Sequence, residues 1–144
     1  RTIFEEKLKS TLNKSKKKIL MIRGIVEQEQ KWQDFENIKT VNFMLSDELE
    51  DTLNKSEIVI SRSGYTTVMD LTMLEKKAFF IPTPGQYEQE YLAKRLKNLG
   101  IVPSCKQEKF KLKKLNKIVV YKGLKTLSQE PVNFKELFSL FESK

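Results

Sequence analysis

Short apolar runs alternate along the chain with segments whose apolar residues recur every three or four positions. The runs predict buried strands at residues 19–22, 38–44, 57–61, 78–81 and 101–104. The spaced segments predict helices at 3–12, 26–36, 65–76, 87–99 and 133–142, a helix beginning at Ser46, and a basic helical region at 106–125. Because strands and helices alternate with short connections, we predict an α/β fold, a Rossmann-like parallel sheet with helices on both faces.

Local residue types add detail to three of these helices. The spacing of Trp32 and Phe35 predicts that both face inward from a helix over 26–36. Ser46 is the expected N-cap of its helix, and Gly100 is the expected C-terminal stop of the helix over 87–99. Two leucines of the Ser46 helix are expected to face inward, Leu49 and Leu53.

The length and composition are those of one globular domain. The chain has 144 residues, of which 39% are hydrophobic and 32% charged, so we expect residues 1–144 to form a single domain. No apolar run approaches the roughly 20 residues needed to span a bilayer. There is no histidine, one cysteine (Cys105) and no acidic cluster with ligand spacing, so we predict no metal site. A reaction that needs a histidine base would take that base from outside this chain.

The net charge of +8 is unevenly distributed. Residues 1–18 carry +5, residues 19–60 carry −5, and residues 106–125 hold eight lysines against Glu108, a net +7. One interpretation of the last segment is a solvated lysine-rich face. The other is attraction to an anionic membrane surface or an acidic partner. Nucleic acid is not the predicted partner, because this segment has no arginine and few aromatic residues.

The most informative segment lies between the predicted strand at 57–61 and the helix that follows it. It reads Ser-Arg-Ser-Gly-Tyr-Thr-Thr-Val-Met-Asp over residues 61–70, a strand, a tight turn and a helix start. Unpaired N–H groups and the dipole make a helix start an anion site, commonly for phosphate. Asp70, three residues after Thr67, shares a helix face with it and offers two oxygens to paired sugar hydroxyls. The alternative is structural: Ser61 and Ser63 are turn and N-cap residues, Gly64 has a positive φ and Asp70 is a solvated carboxylate.

An ordered series of motifs carries a family resemblance over about residues 17–103. It runs Val-Ile-Ser-Arg-Ser-Gly-x-x-Thr-x-x-Asp at 59–70, Ile-Pro at 81–82, Glu-Gln-x-x-x-Ala at 88–93 and Leu-Gly at 99–100. This series resembles the C-terminal, donor-binding domain of GT-B glycosyltransferases of the family 28 (MurG-like) type.

The resemblance implies roles for particular residues. Asp70 stands where the family has a glutamate that binds the ribose hydroxyls, and Gln89 matches a glutamine that contacts the donor sugar. Leu45 matches a segment whose backbone meets the uracil, and Arg62 stands where several families carry a basic residue near the phosphates. A reduced version of the family's glycine-rich loop remains at Gly24. The diphosphate and sugar would be held by the loop and helix start formed by Ser63, Gly64, Tyr65, Thr66 and Thr67.

The function implied is the donor-binding half of a glycosyltransferase that uses a UDP-sugar, with N-acetylglucosamine as the candidate sugar. The acceptor and the general base would belong to an N-terminal domain of a longer chain or to a partner subunit, and no cofactor is implied. The expected location is the cytoplasm, at the inner face of a membrane if residues 106–125 contact lipid. Two alternatives stay open: a sugar-nucleotide epimerase domain, and a non-catalytic domain that docks onto a membrane-bound subunit.

Overall fold

The computed structural model describes residues 1–129, and the strands of this part form two sheets. The strands are β1 (Ile19–Ile22), β2 (Trp32–Phe35), β3 (Ile38–Val41), β4 (Ile58–Ser61) and β5 (Lys77–Phe80). In the first sheet β3 lies between β1, with which it is parallel, and β2, with which it is antiparallel. In the second sheet β4 and β5 are parallel. Parallel pairing puts the loops that follow β4 and β5 at one edge of their sheet.

Helical segments connect these strands and follow them. The α-helices are α1 (Thr2–Leu12), α2 (Ser46–Lys55), α3 (Tyr65–Met73), α4 (Tyr87–Asn98) and α5 (Lys125–Gln129), and 3₁₀ segments cover Gln107–Lys109 and Leu112–Val120. Within residues 1–129, no helix combines the length and the apolar character required to cross a membrane. The helix predicted at 133–142 lies outside the described residues.

Two apolar cores cover the opposite faces of the β4–β5 sheet. Alternate residues of a strand point to opposite faces, and Phe80 accordingly lies in the first core while Phe79 and Ile81 lie in the second. The first core includes side chains of α3, α4 and α5, and the second includes side chains of α1 and the 3₁₀ segment at 112–120. Full burial of one such side chain stabilises the fold by about 1.5–3 kcal/mol. Because helical elements pack on both faces of the parallel β4–β5 pair, the predicted parallel strands with helical elements on both faces are confirmed.

The prediction of a helix over residues 26–36 is wrong. Residues 32–35 form β2, an outer strand of the first sheet, and Trp32 and Phe35 are 44% and 47% exposed. The buried Asn42 side chain stabilises the preceding loop: its Oδ1 accepts from the N–H of Lys31 at 2.8 Å and its Nδ2 donates to the Glu29 carbonyl at 3.0 Å. These bonds pair the N–H of Lys31 and the carbonyl of Glu29 with a side chain instead of with the backbone of a helix. The spacing of the apolar residues therefore does not decide the conformation of this segment.

The predicted end of α4 at a glycine is confirmed. Gly100 has a φ of +71°, a conformation that glycine adopts without a Cβ penalty. Its N–H donates to the Lys97 carbonyl at 3.0 Å, and the N–H of Ile101 donates to the Leu96 carbonyl at 2.9 Å. This bonding pattern is a Schellman motif, which satisfies the last carbonyls of the helix.

Two other predicted elements are shorter or tighter than expected. The strand over 101–104 is reduced to a bridge between Ser104 and Phe80, because Pro103 has no N–H to continue a ladder. The basic region forms 3₁₀ turns in place of the expected α-helical conformation. Its inward residues are spaced by three, which places them on one side of a helix with three residues per turn. They are Leu112, Leu115 and Ile118.

The start of α2 differs slightly from the prediction. Leu45 is the N-cap, Ser46 is the first helical residue, and no side chain caps this helix. Leu53 packs against the first core as expected, and Leu49 is partly buried.

Candidate functional site

The loops that follow β4 and β5 bring the starts of α3 and α4 together. The Oγ of Ser63, which is fully buried, donates to the main-chain carbonyl of Gln89 at 2.7 Å. In the same direction, from α3 to α4, the N–H of Tyr65 donates to the Glu88 carboxylate at 3.0 Å. We call these four residues the α3–α4 junction. Because two hydrogen bonds link the helix starts, the predicted site residues of both helices share the carboxyl edge of the β4–β5 sheet.

The first turn of α3 presents backbone donors. Gly64 is its N-cap, with an extended φ of −69°, so the alternative prediction of a positive φ here is wrong. The first intrahelical bond joins the Val68 N–H to the Gly64 carbonyl at 3.0 Å, which leaves three N–H groups outside the helical pattern. Glu88 accepts from that of Tyr65, and those of Thr66 and Thr67 have no partner within residues 1–129.

The space in front of this turn is open. A Cβ atom placed on Gly64 meets no atom within 4 Å, so the chain's own packing does not require the glycine. The space beside the N-cap of α3 is therefore open, and a residue without a side chain keeps it open.

The Gln89 side chain is oriented by the loop after β5. Its Oε1 accepts from the N–H of Thr83 at 2.8 Å. This bond fixes the amide orientation, because a backbone N–H requires an acceptor, and it leaves the Gln89 amide NH₂ as a donor for a polar ligand. The Gln89 side chain thus lies at the carboxyl edge of the β4–β5 sheet, and its contact with the donor sugar stays a prediction.

Arg62 is held by neighbouring parts of the chain. Its guanidinium donates to the carbonyls of Ile81 and Pro82 at 3.1 and 3.2 Å and to Oε1 of Gln107 at 2.9 Å. The same group lies 3.6 Å from the ring centroid of Phe4, a cation–π contact. Burial lowers the pKa of this guanidinium. In this structure Arg62 ties the end of β5 to the loop at 107, and its role near phosphates stays a prediction.

The first turn of α1 links the end of β1 to the end of β4. Phe4 contacts Arg62, and the adjacent Glu5 accepts two bonds from Nε of Arg23 at 3.0 and 3.1 Å. Arg23 immediately precedes Gly24, which has a φ of +72°. The Gly24 loop therefore lies at the same edge of the fold as the loop at Arg62.

The remaining predicted residues are exposed. Leu45, at the start of α2, has 71% of its surface exposed. Asp70 is exposed on α3, one turn after Thr66, and its carboxylate has no hydrogen-bond or ion-pair partner within the described residues. A free carboxylate at this position remains available to ligand hydroxyls.

Sequence reasoning missed two features of this edge, the bond from Tyr65 to Glu88 and the Glu5–Arg23 ion pair. Both join residues far apart in the sequence, by 23 and 18 positions. The sequence signals each of them only by a charged residue near a helix start. Acidic residues are common there because they interact favourably with the helix dipole.

Three further features of residues 1–129 bear on the choice of site: a groove, possible metal ligands and the cysteine. A groove of about 1070 Å³ lies at the amino ends of β4 and β5, at the opposite edge of the sheet. No cluster of three His, Cys, Asp or Glu residues suited to a metal ion occurs among residues 1–129. Burial raises the pKa of the Cys105 thiol, which disfavours the nucleophilic thiolate.

Comparison with solved structures supports the fold. The chain is similar to the glycosyltransferase SnogD from Streptomyces nogalater, with a TM-score of 0.57 over 91% of this chain and 38% of that one. The sequences are 12% identical, so this likeness concerns the fold alone.

Comparison with curated proteins identifies relatives that share one name, UDP-N-acetylglucosamine--N-acetylmuramyl-(pentapeptide) pyrophosphoryl-undecaprenol N-acetylglucosamine transferase. The protein from Sulfurihydrogenibium sp. (strain YO3AOP1) is 31% identical over 88% of this chain and 35% of its own length. The protein from Buchnera aphidicola subsp. Schizaphis graminum (strain Sg) is 38% identical over 44% of this chain and 18% of its own length. This chain thus spans about a third or less of these relatives.

The model of the glycosyltransferase family 28 C-terminal domain matches residues 1–136, nearly the whole chain. The match includes every predicted site residue, from Gly24 to Gln89. The chain belongs to the glycosyltransferase family 28 C-terminal domain family.

Proposed function

We propose that this chain is the donor-binding half of a glycosyltransferase that takes a sugar from a UDP-sugar. The observation that carries the proposal is the family match over residues 1–136 on a structure whose α3–α4 junction groups the motif residues at one sheet edge. N-acetylglucosamine is the candidate sugar, since the curated relatives are named as transferases of it. These names favour a transferase over a sugar-nucleotide epimerase.

The contacts suggest how a donor would be held. The amides of Thr66 and Thr67, at the positive end of α3, would face the diphosphate. Asp70 would accept hydrogen bonds from the ribose hydroxyls, and the amide NH₂ of Gln89 would donate to a sugar hydroxyl. Leu45 would border the uracil, and Gly24 would border the phosphates.

Catalysis by this half would rest on the leaving group. As the sugar–phosphate bond breaks, negative charge grows on the diphosphate, and backbone amides fixed in a helix start stabilise it without reorganising. The acceptor and the general base would come from an N-terminal domain or a partner subunit. The proposal needs no metal or other cofactor, and by itself the chain should bind UDP without turnover.

Residues 106–125 support a further part of the proposal, peripheral contact with an anionic membrane surface on the cytoplasmic side. In the structure four apolar residues of this segment pack into the second core, while seven of its eight lysines are exposed; the four are Phe110, Leu112, Leu115 and Ile118. Val119 and Val120, each 79% exposed, add apolar surface between the lysines. Such a combination suits an anionic lipid surface, and it also fits a solvated face.

Calorimetry with UDP and with 2′-deoxy-UDP tests donor binding. We expect Asp70→Ala to weaken UDP binding by about tenfold or more, the effect of losing hydrogen bonds to a charged group. Removal of the 2′-hydroxyl should weaken binding to the wild type and leave Asp70→Ala nearly unaffected, since both changes delete the same contact. The matched variant Asp70→Glu restores the family's residue and should keep UDP binding. No UDP binding, or equal loss of affinity for 2′-deoxy-UDP in wild type and Asp70→Ala, would contradict the proposal.

A further inference from the structure

The start of α3 already holds an anion that belongs to the chain itself. The Glu88 carboxylate accepts the N–H of Tyr65 at 3.0 Å, at the end of the helix where the dipole is positive. The bond crosses from α4 to α3, so Glu88 serves as a cap supplied by another helix. The start of α3 has no cap from a side chain of its own.

This carboxylate stands where the proposed function places the donor's diphosphate. A phosphate that approaches the amides of Tyr65, Thr66 and Thr67 meets a like charge already bonded to the first of them. Two anions at one helix start repel each other, and both compete for the same donor. Glu88 is exposed, so its side chain has solvent into which it can move.

We propose that Glu88 is an internal competitor of the donor, occupying the start of α3 in the empty protein and leaving it when a diphosphate binds. The proposal rests on the proposed function, because it takes the diphosphate to bind at α3. Displacement of Glu88 would break only one of the two bonds of the α3–α4 junction. The buried bond from Ser63 to the Gln89 carbonyl stays in place and keeps the two helix starts together.

Glu88 should affect the affinity of a ligand only if that ligand carries a diphosphate. A ligand with a diphosphate gains the α3 amides and must displace a charge, while a nucleoside without phosphate does neither. Glu88 therefore lowers affinity for UDP and leaves affinity for uridine unchanged. After the transfer, release of UDP would be assisted by the return of the carboxylate.

Glu90 offers a matched control on the same helix. Its carboxylate also accepts a backbone N–H, that of Gly85 at 2.9 Å, and it also lies in the first turn of α4. That bond joins the loop before α4 to the first turn of α4 and does not involve α3. Glu90→Gln thus removes the same charge from the same turn without changing the start of α3.

The test is calorimetric titration of the 144-residue chain with UDP, with UDP-N-acetylglucosamine and with uridine, in wild type, Glu88→Gln and Glu90→Gln. We expect Glu88→Gln to tighten UDP binding about two- to fivefold, the range for one charge at a helix terminus, with no change for uridine. Glutamine keeps an acceptor for Tyr65, so the fold should persist, and thermal unfolding of each variant checks this. Glu90→Gln should change UDP binding less than Glu88→Gln.

Three results would overturn the inference. Equal UDP affinity in wild type and Glu88→Gln would show no competition, and an equal gain in Glu90→Gln would show a general charge effect. A loss of UDP-sugar affinity in Glu88→Gln with unchanged UDP affinity would make Glu88 a contact of the sugar instead. Failure of wild type to bind UDP would be a different outcome, since it would overturn the proposed function as well.

As a second measurement, the amide resonance of Tyr65 reports the contact directly. In the wild type its shift should move on addition of UDP, and the Glu88→Gln variant should start from a different position. A Tyr65 resonance that UDP leaves unmoved, in a protein that binds UDP, would contradict displacement.

Discussion

The two edges of the β4–β5 sheet both offer positive charge, but they offer it in different ways. At the carboxyl edge the donors are backbone amides of α3, fixed by the helix and by the buried Ser63–Gln89 bond. At the amino edge a groove of about 1070 Å³ is lined by lysines together with apolar residues of the 112–119 segment. The lysines that line it are Lys14, Lys16, Lys17, Lys76 and Lys77.

This difference separates specific from general recognition of anions. Amides in a helix start have a fixed geometry, so they discriminate between ligands by shape and charge position. Exposed lysines are long and mobile, and their attraction is screened by salt over about 8–10 Å. We therefore expect the carboxyl edge to select a nucleotide donor and the amino edge, with the adjoining basic segment, to respond to charged surfaces in general.

The largest expected effect comes from reversing charges near the amino edge. Lys111→Glu, Lys113→Glu and Lys114→Glu combined should weaken binding to vesicles that contain anionic lipid by about a hundredfold or more, at about 1 kcal/mol per lysine near the surface. UDP affinity should stay unchanged, because the segment that carries these lysines packs on the opposite face of the β4–β5 sheet from α3. Vesicle flotation and calorimetry measure the two properties.

Reversal of three exposed cations of α4, Lys94, Arg95 and Lys97, provides the matched control. If it weakens vesicle binding equally, net charge alone explains the attraction. If wild type does not bind anionic vesicles, the basic segment is a solvated face.

A smaller effect is expected from breaking the buried bond at the carboxyl edge. Ser63→Ala removes the hydroxyl that donates to the Gln89 carbonyl and should reduce the free energy of unfolding by about 1–3 kcal/mol. Because this bond positions the start of α4 against α3, UDP binding should weaken as well. Chemical denaturation and calorimetry measure both changes.

Ser61→Ala is the control for that variant. Ser61 is only part-buried, and its hydroxyl bonds within its own turn, to the carbonyl of Arg62 at 3.0 Å. Equal destabilisation by the two substitutions would show that the bond between Ser63 and Gln89 contributes no more to the free energy of unfolding than a bond within one turn.

The smallest effect is expected at a single exposed pair of the amino edge. Lys17 donates to Glu57 at 2.7 Å and lowers the pKa of that carboxyl. A lowered pKa gives a stabilisation that is present above the unfolded value, about 4.3, and is lost as the pH falls through the folded value. Lys17→Met should raise the pKa of Glu57 towards its ordinary value, as followed by NMR titration.

Since both side chains of this pair are largely exposed, the melting temperature at neutral pH should hardly change. Lys14→Met, in the same groove, should leave the pKa of Glu57 unaltered. A Glu57 pKa that Lys17→Met does not move would show that the pair does not persist in solution.

Much of this architecture follows from local sequence. The apolar runs of β4 and β5 and the helical spacing after Gly64 specify a strand, a turn and a helix, because buried strands and amphipathic helices have different periods. Gly100 ends α4 since few other residues adopt its conformation. The motif series at 59–100 is sufficient to indicate the family, and the match to the family model over residues 1–136 confirms it.

Where sequence reasoning failed, contacts from elsewhere in the chain decided the outcome. Trp32 and Phe35 fit a helix by spacing, but pairing with β3 and the Asn42 side chain favour a strand. A spacing of three in the basic segment fits an α-helix and a 3₁₀ helix alike, and packing against the second core accompanies the tighter form.

The sequence by itself determined the strands β1, β3, β4 and β5, the helices α1 to α4, the position of the turn before α3 and the family. Only the tertiary structure decided what occupies that turn. Glu88 is a neighbour of Tyr65 because parallel strands place the starts of α3 and α4 at one edge, and a bond between residues 23 positions apart has no local signature. Local patterns reflect the interactions of near neighbours along the chain, whereas the charge that a ligand meets depends on the fold as a whole.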